Sequence, residues 1–523
     1  MDSFSIISIS EEEINEHMDY IMKKSKIKQN ELLEPTSDKK EAVYNIVMNF
    51  ISDKKRKIYG GFALNQLFIN KDKKQAIYDE LLNEPDVDFY SPEPLKDLKE
   101  LANLLLEAGF GPIFSKEAQH ADTFKIYANL DKECCDITFV PNNIYKNIRF
   151  VEIGDIRYTH PYFLMIDKLR VFTDPLISYR ILEKELKRFR VLEKLYPLPY
   201  IKEQLIIEKY KNTKINSLLN EIFVECLLKS ETLIFTGIYM FNYYLHHIKQ
   251  LKIKNNDLEY INIPYYELYS TDYINDGEFI INFIKENKNL EYVEFYPFFQ
   301  YYGYSMCVYY INDKKKIPIL YLYSNNERCI PTKKSNAILF DGNENKILET
   351  PINLSSFDFA VLHTLINMLK VRVDGNNDLN DRLYKFLNGI TKMRKNYFDQ
   401  TKKNLITDDT LFQSFFSECM GKTIQPERKK RINSKIKRDE KKFVEFRYDP
   451  ECPNKKTVNY YFNNISGCII ENEKDKFLLN GKKKLDIEEK FKRLINKKKN
   501  ISQKKLCEID NAEEIEIEEE YSV

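Results

Sequence analysis

Tryptophan is absent from this chain of 523 residues, and only 14 residues are glycine. That is below half of the ~7% usual in soluble proteins and excludes collagen-like repeats and glycine-rich linkers. Each glycine therefore marks a place where the backbone needs one. Excess charge of either sign is also missing, with 81 Lys and Arg against 80 Asp and Glu. A uniformly basic nucleic-acid binder is thereby excluded. No run of 18 apolar residues occurs, so no membrane-spanning helix is expected. The opening MDSFSIISISEEE lacks the basic start and apolar core of a secretory leader. An intracellular, non-secreted protein is expected. The nine cysteines are odd in number and show no CxxC or Cys/His ligand spacing. They predict free thiols, not a disulfide framework or a zinc site.

What is present is a globular composition, 43% hydrophobic and 13% aromatic, which excludes a disordered chain. The length suggests about three units. We divide it into an N-terminal helical segment (1–38), a first α/β unit (39–200), a second (201–425) and a charged C-terminal region (426–523). That last region is basic, then acidic.

In the first unit a helix is expected from Lys39 to Ser52, followed by KIYGGFALNQLF, an apolar pair running into Gly60-Gly61 and a helix starting at Phe62. PDVDFYS, Pro85 to Ser91, alternates as a strand with Asp86, Asp88 and Tyr90 on one face. A helix from Pro94 to Gly109 and a hairpin, Thr123–Ala128 with Cys134–Val140, follow. Asp136 and Thr138 share a face of its second strand. Residues 158–196 read as helical.

The pattern recurs. TLIFTGIYMFNYYL at Thr232–Leu245 echoes KIYGGFALNQLF; YYELYS at Tyr265–Ser270 echoes DVDFYS; Met306–Ile311 with Ile317–Tyr323 echoes the hairpin. Gly61 and Asp88 are 27 positions apart, Gly237 and Glu267 30 apart. On this alignment Tyr265 replaces Asp86, Glu267 replaces Asp88, Ile319 replaces Asp136, and Thr236-Gly237 replaces Gly60-Gly61. The second copy keeps the apolar pattern and loses the carboxylate cluster.

Gly60-Gly61, Asp86, Asp88 and Asp136 form one device. Glycines at a strand-to-helix turn let the backbone approach a phosphate, and the helix start turns free N–H groups toward it. Three carboxylates on adjacent strands cannot all ionise cheaply unless divalent cations lie among them. Such a site suits in-line phosphoryl or nucleotidyl transfer with two Mg²⁺ ions.

At these residues the sequence resembles the polymerase β-like nucleotidyltransferase superfamily. Within it the chain, over about 40–420, is similar to the poly(A) polymerase catalytic subunits of large cytoplasmic DNA viruses of poxvirus and giant-virus type. The resemblance implies an α/β (α+β) architecture: a tandem duplicated nucleotidyltransferase fold, each copy a mixed sheet flanked by helices, the first catalytic and the second degenerate. It implies template-independent addition of AMP from ATP to RNA 3′ ends by two-metal-ion chemistry. Asp86, Asp88 and Asp136 would hold Mg²⁺ or Mn²⁺, and Asp136 would also help deprotonate the 3′-OH. Gly60 and Gly61 would contact the β- and γ-phosphates, with Lys168 and Arg170 as further triphosphate contacts. The resemblance further implies either a homodimer or a separate processivity subunit, and a place in the host cytoplasm or virion with no membrane attachment. Two departures stand out. Twenty-five positions separate Gly61 from Asp86, so Lys71–Glu84 reads as an insertion; and Gly61 stands where cellular poly(A) polymerases usually carry serine. The basic run Arg428, Lys429, Lys430 and Arg431 is the candidate contact for the RNA backbone. The residues alone leave two other readings: transfer to a tRNA, small-molecule or protein acceptor, and a catalytically dead, RNA-binding subunit.

Overall fold

The computed structural model describes residues 37–421 apart from 79–85, 119–121, 129–131, 141, 175–184, 255–257, 288, 296–301, 313–314, 326–328, 342–343, 375–376, 405 and 415–417. It also describes 447–451, 477–479 and parts of 12–28. The run Arg428–Arg431 lies outside these residues.

The chain builds two mixed sheets. The first contains β1 (Lys57–Tyr59), β2 (Val87–Ser91), β3 (Ile113–Glu117), β4 (Thr123–Ala128), β5 (Lys132–Phe139), β6 (Phe150–Ile153) and β7 (Ile156–Thr159). Its order is β3-β4-β5-β2-β1-β7-β6, with β2–β5 and β1–β7 parallel and the other pairs antiparallel. The second contains β8 (Leu233–Thr236), β9 (Tyr266–Ser270), β10 (Leu290–Phe295), β11 (Tyr302–Asn312), β12 (Lys315–Asn325), β13 (Ile330–Asp341) and β14 (Glu344–Ser355). Its order is β10-β11-β12-β9-β8-β14-β13, with β9–β12 and β8–β14 parallel. Strand for strand, order and direction are those of the first sheet. The fold is one unit used twice.

Local devices repeat as well. Ser91 Oγ donates to Asp97 of the following helix, at 2.5 Å, and accepts from the Glu93 N–H at 2.9 Å. Ser270 Oγ likewise donates to Asp276 and accepts from the Asp272 N–H at 2.9 Å. Five residues after each turn glycine, a buried asparagine ties down the loop ahead of the next strand. Asn65 Oδ1 accepts from the Ile77 N–H at 2.7 Å, and Asn242 Oδ1 from the Ile261 N–H at 2.9 Å.

Two sequence expectations change, and part of the C-terminal region gains a place in the fold. Residues 158–196 are not continuously helical: Ile156–Thr159 is strand β7, pinned in parallel to β1, and helices run over Pro161–Thr173 and Leu186–Leu195. Part of the C-terminal region joins the sheets, Arg447–Tyr448 on the edge of β3 and Phe477–Leu479 on the edge of β10. Cys329 and Cys419 are brought side by side with Cα atoms 5.5 Å apart, close enough to pair, because strand Glu418–Met420 adds beside Ile330–Thr332. Ninety residues separate them in the chain, so spacing could not reveal the pair.

Helices Ser37–Asp53 and Pro94–Glu107 bring Phe50, Ile51, Leu98, Leu101 and Leu105 onto the first sheet. Each such side chain, fully buried, contributes about 1.5–3 kcal/mol. The larger core spans both units: Phe163, Ile166 and Leu169 of helix Pro161–Thr173 join it with residues of the second sheet, and helix Phe357–Asp374 packs against that helix. No helix among the described residues is long and apolar enough to cross a membrane.

Candidate active site

The site is a single row across the first sheet. In register, Lys116 faces Lys125, Lys125 faces Asp136, Asp136 faces Asp88, and Asp88 faces Tyr59. Two neighbouring strands thus bring Asp88 and Asp136 side by side, while Asp86, exposed, lies two residues before Asp88 on the same face. The next residue after Tyr59 is Gly60, which opens helix Gly60–Lys71 with φ +74°. The helix therefore begins two residues earlier than Phe62. Any Cβ at Gly60 would stand 2.4 Å from Asp88 Oδ2, so glycine is required on both conformational and steric grounds. Tyr59 offers no side-chain cap to the helix, leaving its first N–H groups for another acceptor.

The electrostatics are those of carboxylates short of positive charge. Burial, then the neighbouring Asp86, pushes Asp88 up to about 7. Lys125 and Lys168 both lie close enough to pull it down, but not to offset burial. Asp136 is pushed up to about 8, by burial first and then by Glu133. Lys125 pairs with Asp136 Oδ2 at 3.4 Å and more closely with Glu133, and this holds the ammonium well above its ordinary value despite burial. Asp136 Oδ1 is buried without a donor among the described residues; the Glu133 carboxyl beside it repels it or shares a proton with it.

Glu133 was not legible from alternation, which puts it on the opposite face from Asp136. A β-bulge reverses the parity: Ile126 pairs with Cys135 but Tyr127 with Glu133, leaving Cys134 over. Among the described residues no three His, Cys, Asp or Glu side chains are already gathered as a metal cage. The orphaned Oδ1 of Asp136 and the raised carboxyls of Asp88 and Asp136 nevertheless fit divalent cations, which would restore ionisation to acids that burial disfavours.

The structure treats the two predicted triphosphate cations differently. Lys168 is turned to Glu185 Oε2 at 2.7 Å. Arg170 is bonded to Asp167 at 3.1 Å. Two positions apart on a helix, Lys168 and Arg170 cannot share a face.

The corresponding row in the second unit is Val293, Cys307, Tyr321, Glu267 and Thr236. Register therefore equates Tyr321, not Ile319, with Asp136, and Thr236-Gly237 with Tyr59-Gly60, not with Gly60-Gly61. The hairpin β11–β12 is longer than β4–β5, and ungapped counting missed this by two residues. Where the first unit has Asp86 and Asp136, the rings of Tyr265 and Tyr321 pack edge to face with centroids 5.3 Å apart. Gly237 keeps a positive φ of 63°. Glu267 is 5% exposed; its Oε2 accepts from the Ile238 N–H at 3.3 Å, and its Oε1 from His363 Nε2 and Asn367 Nδ2, each at 3.0 Å. The helix start that lacks a side-chain cap in the first unit is filled here by the chain's own carboxylate.

Comparison with known proteins agrees with this architecture. A family model described as "Poly(A) polymerase catalytic subunit" matches residues 45–178. A second, "APMV, Putative poly(A) polymerase, catalytic subunit, C-terminal", matches residues 191–480. The "Putative poly(A) polymerase catalytic subunit" of Acanthamoeba polyphaga mimivirus is 31% identical over 457 residues, spanning 84% of this chain and 77% of that protein. The chain belongs to the poly(A) polymerase catalytic subunit family. The solved structure of the Megavirus polyadenylate synthase superposes with a TM-score of 0.72 at 30% identity, covering 86% of this chain and 87% of that one. An African swine fever virus (isolate Pig/Kenya/KEN-50/1950) protein of the same description is 29% identical over 167 residues, 31% of this chain and 34% of its own. As a viral-type poly(A) polymerase the chain is a nucleotidyltransferase, and the first family match contains Gly60, Gly61, Asp86, Asp88, Asp136, Lys168 and Arg170.

Proposed function

We propose that this poly(A) polymerase adds AMP from ATP to RNA 3′ ends without a template, using Asp86, Asp88 and Asp136 to hold two Mg²⁺ or Mn²⁺ ions. The observation that carries the reading is the register of Asp88 against Asp136 beside the positive-φ turn at Gly60. The uncapped N–H groups after that turn receive phosphate oxygens. Asp136, ionised once a cation is held beside it, would be placed to take a proton from the attacking 3′-OH. The divalent ions, when bound, activate that hydroxyl and neutralise charge developing on the phosphates. The basic run Arg428–Arg431 is proposed to track the RNA backbone.

The test is extension of a labelled RNA primer with Mg²⁺ or Mn²⁺ and each nucleoside triphosphate in turn. Long tails with ATP alone support the reading, and no extension with any nucleotide removes it. Asp88→Asn is expected to abolish extension while the circular dichroism and melting curve stay close to wild type. Light scattering on the purified chain separates a self-sufficient homodimer from a subunit that needs a processivity partner.

A further inference from the structure

We propose that Arg188 is a triphosphate-binding residue paired with Lys168, and that Glu185 is the positioning residue holding the two cations side by side. This rests on the ATP reading above and names residues for its phosphate end.

The argument begins at Gly61. A Cβ there would stand 2.1 Å from the Tyr78 hydroxyl and 3.7 Å from Arg188 Nη1. Tyr78 is held in place because the buried Asn65 side chain accepts from both the Ile77 and Tyr78 N–H groups, at 2.7 and 3.3 Å. Its hydroxyl in turn accepts from Arg188 Nη2 at 3.4 Å, and the guanidinium carbon lies 5.5 Å from its ring centre. Arg188 therefore stands over the helix start at Gly60-Gly61, on helix Leu186–Leu195, which packs against helix Gly60–Lys71. A guanidinium and uncapped helix N–H groups that share one small space are complementary to an anion with several oxygens.

Glu185 joins this arrangement to the carboxylate row. One of its oxygens takes Lys168 at 2.7 Å and the other Arg188 at 3.3 Å. The three side chains are 11–15% exposed. Two cations confined together would repel; one carboxylate between them relieves this and leaves a net positive charge. Lys168 has three N–H donors and Arg188 five, so most remain for phosphate oxygens after Glu185 is satisfied. Lys168 is near enough to Asp88 to act on its carboxyl, and Arg188 approaches the Gly61 turn, so the cluster adjoins both the carboxylate row and the helix start. Arg188 comes 20 positions after Lys168, beyond any local motif.

ATP and adenosine affinities are measured on the full chain by competition, alongside steady-state extension kinetics. Arg188→Ala is expected to weaken ATP about 10- to 100-fold, the loss of a charged hydrogen-bonding group, with adenosine affinity unchanged and Arg188→Lys recovering part. Glu185→Gln is expected to raise KM for ATP about tenfold with kcat at saturation nearly unchanged, and Glu185→Asp to recover part. The proposal is overturned if Arg188→Ala, or Arg188→Lys should the alanine variant not fold, binds ATP like wild type. It is overturned equally if ATP and adenosine weaken together, or if Glu185→Gln binds ATP more tightly, which would make Glu185 a competitor of phosphate. Failure of the wild-type chain to use ATP would instead remove the nucleotide reading on which the proposal rests.

Discussion

Replacing Asp136 by Asn should make the metal-free protein more stable at pH 8 and leave it little changed at acid pH. The carboxyl is raised from 3.8 to about 8 by burial and by Glu133. A folded-state value above the unfolded one means that between them the folded chain holds a proton the unfolded chain has lost. Stability therefore falls as pH rises through that interval. At about 1.4 kcal/mol per unit, the three units from pH 5 to 8 set an upper bound of about 4 kcal/mol on the gap that opens between wild type and Asp136→Asn. The net value already includes the downward pull of Lys125, so the pair with Lys125 changes nothing further in this bound. Lys125 keeps Glu133 as a partner, so its own charge is not stranded. The assay is denaturant unfolding in a chelator at pH 5, 6, 7 and 8, then again with millimolar Mg²⁺. With metal the gap should narrow at pH 8, because a cation held by the folded state at 100 times its Kd adds about 2.7 kcal/mol and the variant lacks one ligand. A gap that does not change with pH, or a variant less stable than wild type in chelator at pH 8, would refute the reasoning.

Gly60→Ala forces an alanine to φ +74° and places a methyl 2.4 Å from Asp88 Oδ2. Displacing that carboxylate should lower kcat roughly 10²-fold with only about 1–2 kcal/mol of stability lost, checked by primer extension and melting. Glu267→Gln should leave extension unchanged but lower stability by about 1–3 kcal/mol, measured by denaturant unfolding. A glutamine brings a donor to a side chain that here only accepts, from Ile238 on one oxygen and His363 and Asn367 on the other. Replacing Arg428, Lys429, Lys430 and Arg431 by Ala should weaken RNA binding uniformly and reduce its salt slope by roughly 0.7 per lost contact, measured by titration at several salt concentrations. Substitution is a cleaner test than truncation after Gln425, which would also remove the edge strands Arg447–Tyr448 and Phe477–Leu479.

The metal-ligand candidates were legible because strand alternation and one parallel neighbour decide them. Asp86 and Asp88 are two apart, and the only further requirement is that the strand carrying Asp136 lie alongside. The turn was legible because glycine is scarce. What failed to show in the sequence depends on register, on bulges or on contacts distant in the chain. The extra residue at Cys134 moves Glu133 onto the active face. A longer hairpin shifts the partner of Glu267 from Ile319 to Tyr321. Strand β7 is hidden inside an apparently helical stretch because only its pairing with β1 marks it as a strand. Arg188 comes to Gly61 through packing of its helix on helix Gly60–Lys71, where it meets Tyr78, which Asn65 holds in place.

The two units also explain why a fold can keep its turn glycine after losing its carboxylates. In the first, Gly60 leaves room for Asp88 and the helix start has no side-chain cap. In the second, a Cβ at Gly237 would stand 1.8 Å from Glu267 Oε2. That glycine is needed because Glu267 folds back onto the Ile238 N–H. The same backbone geometry thus takes an internal anion in the second copy and, in the function proposed above, a phosphate in the first. An internal carboxylate satisfies the helix start permanently, and His363 and Asn367 supply the donors that make its burial tolerable. With Tyr265 and Tyr321 packed where two carboxylates stand in the first unit, the second sheet becomes a core that needs no cations. Its helix Phe357–Asp374, which carries His363 and Asn367, also packs on helix Pro161–Thr173, which carries Lys168. The closed second site therefore braces the helix that carries Lys168, which gives the copy without the carboxylate cluster a physical part in the copy that has it.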